Sequence, residues 1–181
     1  EPGEYYHSFD GSYGGLWRRN GRPPQLLAGV GFSAQGKFEG SYYRRTAESR
    51  APDLAWMFEG IEDQEILGDF GFSGGGAAGF ELDRADVRLG TPEEVRVVAS
   101  SENHTSSFVL VPEEMLTHIT NWPGEEEQQK LIRSDIVYFR TPSGGEVFST
   151  GSITFCGSLP WNDFDNNISR LLENVIRHFL Q

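Results

Sequence analysis

A chain of 181 residues is long enough to bury roughly 70% of its unfolded surface in one domain, and its apolar area is concentrated in 13 Phe, 6 Tyr and 4 Trp. Twenty-seven acidic against 15 basic residues give a net charge of −12, which repels phosphate backbones and anionic bilayers and excludes nucleic acid and membrane surfaces as partners. The single cysteine, Cys156, excludes an internal disulfide, and no apolar run approaches the roughly 20 residues needed to cross a bilayer, so the expected location is cytoplasmic.

The chain opens on Glu1-Pro2-Gly3 without a methionine, and is expected to lie inside a longer polypeptide. Residues 1–24 mix aromatics with glycine and read as a long ordered surface segment, closed by Pro23-Pro24, which forbid helix behind them. Residues 26–32, Leu-Leu-Ala-Gly-Val-Gly-Phe, form a short apolar run that suggests a buried strand. Residues 36–45 alternate loosely and suit a loop lining a pocket. Residues 53–60 after Pro52 read as a short helix or an extended segment entering a turn at Gly60.

Gly74, Gly75 and Gly76 invite a phosphate-loop reading, but neither the GxxxxGK[ST] lysine nor the GxGxxG spacing is present. A structural turn beside closely packed backbone is expected there instead. Residues 95–99 and 108–111 are strand-like and flank a polar loop at 100–107, and residues 113–119 suggest a short helix with acidic residues in its first turn. The run Glu125-Glu-Glu-Gln-Gln129 reads as a solvated face.

Asp135-Ile-Val-Tyr-Phe-Arg140 predicts a strand, and Pro142-Ser-Gly-Gly145 a reversal. Val147-Phe148 and Ile153-Thr-Phe-Cys156 predict further buried strands. Ile168, Leu171, Leu172, Val175, Ile176 and Phe179 recur at steps of three and four, so the last segment is an amphipathic helix capped by Asp165 or Asn166. This organisation indicates an α/β or α+β layer fold in which that helix lies on the strands before it.

Four histidines, His7, His104, His118 and His178, include no HExxH and no close pair, which leaves a zinc-hydrolase reading without support. His7 stands in an aromatic, glycine-rich stretch beside Glu4, Tyr5 and Tyr6, and His104 shares a polar loop with Glu102 and Asn103. Each suits either a site or a plain structural role. There is no GxSxG elbow, and Cys156 reads as a small buried hydrophobe. Glu59 follows Trp56-Met57-Phe58. That setting raises a carboxyl pKa unless a cation or metal pairs with it, while a bland reading points the acid to water at a turn.

Several longer words carry a resemblance: residues 1–9 (EPGEYYHSF), 14–25 (GGLWRRNGRPPQ), 30–36 (VGFSAQG), 80–84 (FELDR), 151–158 (GSITFCGS) and 166–170 (NNISR). Together they resemble the large (beta) subunit family of N,N-dimethylformamidase across nearly the whole chain. The resemblance implies that residues 1–181 are a single domain, the C-terminal part of a larger catalytic domain with a glutamine-amidotransferase-like α/β core, built on a mixed sheet with flanking helices. It also implies an amidohydrolase that cleaves the C–N bond of small amides, using one iron held by two tyrosinates and one glutamate. Hard oxygen donors of that kind suit ferric iron, which acts as a Lewis acid or activates water. Both tyrosine ligands are expected upstream of Glu1, Glu59 is the expected glutamate ligand with Glu39, Glu4 and Glu102 as substitutes, and His7 is the expected supporting catalytic group. With one ligand of three, the chain alone is expected to hold no metal and to be inactive.

The resemblance further implies a small amide substrate and either a homo-oligomer or a small partner subunit. The rival expectation is a non-catalytic binding or subunit-association module whose aromatic first 60 residues form the contact surface. A blander expectation is a stable core with no task of its own.

Overall fold

The computed structural model describes residues 11, 17–111 and 124–181. A 3-10 turn at Trp17–Asn20 leads to helix α1, Pro24–Ala28. The run at 26–32, expected as a strand, therefore begins as a helix. Pro24 has no N–H to lose at the first helical position, and Gly29, at φ 78°, ends the helix by donating its N–H to the Gln25 carbonyl at 2.9 Å. Leu26 and Leu27 consequently face outward, and Gln25 is the buried member.

Strand β1, Gly31–Arg45, runs for 15 residues through the segment expected to be a pocket loop. It is ordered because its two halves find different partners. The first half pairs with β2, Ala78–Arg84, and touches β4, Val109–Leu110, while Tyr42 to Arg45 pair with β3, Arg96–Glu102. Register shifts between Phe32 and Ala34 and between Gln35 and Gly40 bend it between those partners. β3 pairs in turn with β5, Asp135–Arg140, and β5 with β6, Glu146–Thr150, closing a curled sheet in the order β2-β1-β3-β5-β6. All five pairings are antiparallel, so among the described residues the expected mixed sheet is an antiparallel one.

The glycine triplet is the structural turn expected of it. Gly74 and Gly75 take φ 72° and 82°, and the Gly74 carbonyl accepts the Gly40 N–H at 2.7 Å, seating the turn directly on β1 backbone. Helix α2, Glu125–Leu131, carries the acidic run in its first turn, where the helix dipole favours it. The expected helix at 113–119, with His118, lies outside the described residues.

Residues 153–156, expected as a strand, belong to helix α3, Thr154–Ser158. Ser152 ends the sheet by exchanging both backbone hydrogen bonds of Gly79 through its hydroxyl, at 2.9 and 2.7 Å. Thr154 and Phe155 then turn inward, and Ile153 and Cys156 outward. Cys156 is exposed, contrary to its expected burial.

Helix α4, Asn167–Phe179, follows its periodicity, and Asn166 caps it by accepting the Ser169 N–H at 2.9 Å. Ile168, Leu171 and Val175 enter the main core with Leu54 and Met57 of the 3-10 segment Pro52–Phe58, Tyr43 of β1, Val98 of β3 and Ile136 of β5, so of the strands expected beneath the helix β5 shares its core, alongside elements from earlier in the chain. Ile176 and Phe179, at the far end of the stripe, remain about half exposed. Among the described residues no helix is long and apolar enough to cross a membrane.

Candidate functional site

The C-terminal end of β3 and the start of β5 meet at a cleft of about 740 Å³ roofed by α2. The register places Ser100 opposite Asp135 and Tyr43 opposite Ser101. Ser101 donates its N–H to the Ser134 carbonyl at 2.8 Å, and its side-chain Oγ accepts the Ser134 N–H at 2.7 Å. The Tyr43 hydroxyl lies 2.7 Å from Ser134 Oγ. Burial pushes the Tyr43 phenol well above its ordinary value, despite the Ser134 hydrogen bond, so it is a neutral structural member.

His104 leans back from the β3–β4 loop onto this network. Its Nε2 lies 2.6 Å from Ser101 Oγ, and its ring tilts against Phe108 with centroids 4.7 Å apart. Burial against that wall lowers its pKa to about 4, while the charge of Glu39 works the other way, so the imidazole is neutral near pH 7. Its Nδ1 is buried without a hydrogen-bond partner. The preceding residue, Asn103, holds φ 63°, a left-handed conformation that turns the chain back toward the sheet.

Behind the cleft, Asp135 is fully buried. It accepts from Ser100 Oγ at 2.6 Å, Ala85 N–H at 2.9 Å and Arg133 Nε at 3.0 Å. Arg84, also fully buried, donates to the Leu131 carbonyl at 2.8 Å and to Asp86 at 3.0 Å, which ties α2 to β2. Burial would raise Asp86, but hydrogen bonds from Arg88 and Arg84 carry it down to about 2. Asp83, on the same strand, is pushed up to about 6 by burial, with the charge of Glu81 adding to the effect.

The pairing of a serine hydroxyl with a neutral imidazole does not make Ser101 a nucleophile. Ser101 is 5% exposed and its oxygen is already engaged by the Ser134 N–H, so the hydroxyl positions the ring. Sequence reading noticed His104 with Glu102 and Asn103, but missed Ser101 and Ser134. The only local signal was the three-residue spacing of Ser101 and His104 at the end of a strand, and Ser134 enters through strand register alone.

The other expected site residues do not join this cleft as ligands. His7 and Glu4 lie outside the described residues. Glu59 sits at the end of the 3-10 turn Pro52–Phe58, which buries Met57 and Phe58 and sends Glu59 to the surface, with its backbone carbonyl accepting Asn174 Nδ2 at 2.9 Å. The expected apolar enclosure of its carboxylate is therefore absent, and with it the physical argument for a paired cation. Glu39 accepts from Thr105 and Ser107, and Glu102 pairs with Arg44 at 2.5 Å. Among the described residues no three His, Cys, Asp or Glu side chains converge as metal ligands. Those residues do not by themselves fit an iron site. His178 is stacked on Trp56 with centroids 3.8 Å apart and lies 3.1 Å from Glu146, fastening the end of α4 to the sheet.

A family model described as "N,N-dimethylformamidase beta subunit-like, C-terminal" matches residues 1–167. Two curated relatives, each named "N,N-dimethylformamidase beta subunit", come from an Alcaligenes species and from Paracoccus aminophilus. Each is 40% identical over 180 residues, covering 99% of this chain. The chain spans 23% of the length of either relative.

Proposed function

Since the chain belongs to the C-terminal family of N,N-dimethylformamidase beta subunit-like proteins, we propose that it is part of an amidohydrolase that cleaves the C–N bond of small formamide-like amides, giving an acid and an amine. The observation that carries this reading is the 40% identity to two N,N-dimethylformamidase beta subunits across 99% of the chain. In this reading the chain is one portion of a larger catalytic domain with glutamine-amidotransferase-like layering, and the word subunit in the relatives' names supports a multi-subunit assembly with a partner chain. Iron belongs to the reading as a group whose donors lie largely beyond the described residues. Glu59 is a candidate donor only as a surface carboxylate.

The curled sheet suits such a role physically. Its β3–β5 end sets Ser101 and the neutral imidazole of His104 at a recess where Phe108 and Ile132 give apolar surface among polar and charged residues. The test is amine release from N,N-dimethylformamide by the full-length protein, with iron measured on the same sample. Turnover is expected, and a folded, iron-loaded protein that releases no amine overturns the proposal in favour of a non-catalytic association module. Loss of iron on Glu59→Ala would support that carboxylate as a ligand, and full retention would remove it.

A further inference from the structure

We infer that the turn Trp161–Phe164 and the outer side of α4 form a docking face, and that its occupant is the part of the same polypeptide preceding Glu1. The inference rests on reading the chain as one portion of a longer protein, and it adds where the two portions meet.

The turn between α3 and α4 is strained. Asn162, Asp163 and Phe164 hold φ 50°, 54° and 68°, three left-handed residues in a row without a glycine. Each brings its Cβ against the following carbonyl oxygen; Asn and Asp tolerate this, and a bulky Phe does so poorly. Side chains nevertheless lock the conformation. Asn162 Nδ2 donates to the Asp165 carbonyl at 3.0 Å, Asn166 Nδ2 to the Trp161 carbonyl at 2.7 Å, and Ser169 Oγ to the Leu159 carbonyl at 2.6 Å.

The strain gains little inside this segment, because Phe164 points out and is 64% exposed. On one side of the turn the Trp161 ring lies 5.2 Å from Phe72, itself 70% exposed. On the other, a groove of about 510 Å³ runs along α4, lined by Leu159, Phe164, Leu172, Ile176 and Leu180. Aromatics held rigidly beside an apolar groove suit an anchor site, since little loop freedom is left to lose on docking.

Charge and length choose the occupant. Glu173 pairs with both Arg170, at 3.2 Å, and Arg177, at 2.7 Å, so these charges on α4 satisfy one another. An apolar face of that kind suits a permanent neighbour, because transient interfaces are as polar as ordinary surface. A second copy would bring another net charge of −12 against this one. The chain spans 23% of each relative and matches a family model described as C-terminal, so in a protein of that length most of the polypeptide precedes residue 1. A neighbour on the same chain also docks at high effective concentration.

The test uses the full-length protein with p-benzoylphenylalanine in place of Phe164, which keeps the ring and the turn. After irradiation, the expected product has the mass of one chain on a denaturing gel, and its cross-linked peptide joins position 164 to a residue preceding Glu1. A cross-link to a second copy, to another subunit, or only within residues 1–181 overturns the inference. Phe164→Asn supplies a second readout. Asn takes left-handed backbone readily, so on a face open to water it relieves strain and raises Tm. On a docked face it removes an anchor and should lower the Tm of the full-length protein by at least about 2 °C. An unchanged or raised Tm overturns the inference. Amine release from a protein without the same-chain cross-link sinks this inference alone, and the cross-link in a protein that releases no amine sinks only the hydrolase reading.

Discussion

Replacing Asp83 by Asn should stabilise the protein near neutral pH and do nothing in acid. The Asp83 carboxyl lies on β2, where burial and the charge of Glu81 raise it from 3.8 to about 6. At about 1.4 kcal/mol per pH unit, that gap amounts to ~3 kcal/mol of preference for the neutral acid. In the unfolded chain the group ionises at its ordinary value. Between about pH 4 and pH 6 the native state therefore binds more protons, and stability falls as pH rises through that window. Above it, both states are ionised and the native state carries the whole penalty. Asn has the shape of the protonated acid and cannot ionise, and the backbone bond from Asp83 N–H to the Gly151 carbonyl, at 2.7 Å, is untouched.

Urea unfolding of wild type and Asp83→Asn at about pH 7.5 and about pH 3.5 should give a gain of ~2–3 kcal/mol at the higher pH and none at the lower. For a chain of this size the gain corresponds to roughly 5–10 °C in Tm. A gain of equal size at both pH values, or a loss at pH 7.5, would refute the account. The first would point to a packing effect, the second to an unrecognised partner for the ionised carboxylate.

Leu171→Ala removes a fully buried side chain from the core beneath α4 and should cost ~2–5 kcal/mol in urea unfolding, and a smaller loss would mean that the helix closes onto the cavity. Asn166→Ala deletes the helix cap on Ser169 together with the side-chain bonds to the Leu159 and Trp161 carbonyls at 3.0 and 2.7 Å. It should cost ~1–2 kcal/mol, and Asn166→Asp, which keeps the cap but not those two bonds, should recover part of it. Cys156 should consume one equivalent of an aromatic disulfide reagent in the native protein. A thiol that reacts only after unfolding would contradict its outward position on α3.

What the sequence made legible was periodicity extended over enough residues. Helix α4 shows its stripe across 13 residues, and the β5–β6 hairpin shows apolar runs around a glycine turn, and both were readable within a residue or two. Residues 36–45, expected as a loop, belong to a 15-residue strand whose partners lie far along the chain, and two other misread segments are short. Residues 26–32 and 153–156 are apolar runs of seven and four, a length at which a buried strand and one turn of helix look alike. At the first, the deciding features were Pro24 and the left-handed Gly29, and at the second, a Ser152 hydroxyl that occupies the backbone of a strand 73 residues away. No local pattern carries the second kind of information.

The same division separates Glu59 from His104. Glu59 stood out because it follows Trp, Met and Phe, but that argument assumed neighbours in sequence share an environment. A 3-10 turn advances about 120° per residue, so Met57 and Phe58 can be buried while Glu59, next in line, emerges. His104 had a polar, unremarkable neighbourhood in sequence. Its character comes from Ser101, fixed by an antiparallel register to Ser134, and from Phe108 folding back across the ring. A carboxylate in an apolar word ended in water, and an imidazole in a polar word ended desolvated with one unsatisfied nitrogen. Burial of an ionisable group is set by the strand and loop that cover it, and the residues beside it in sequence do not report that cover.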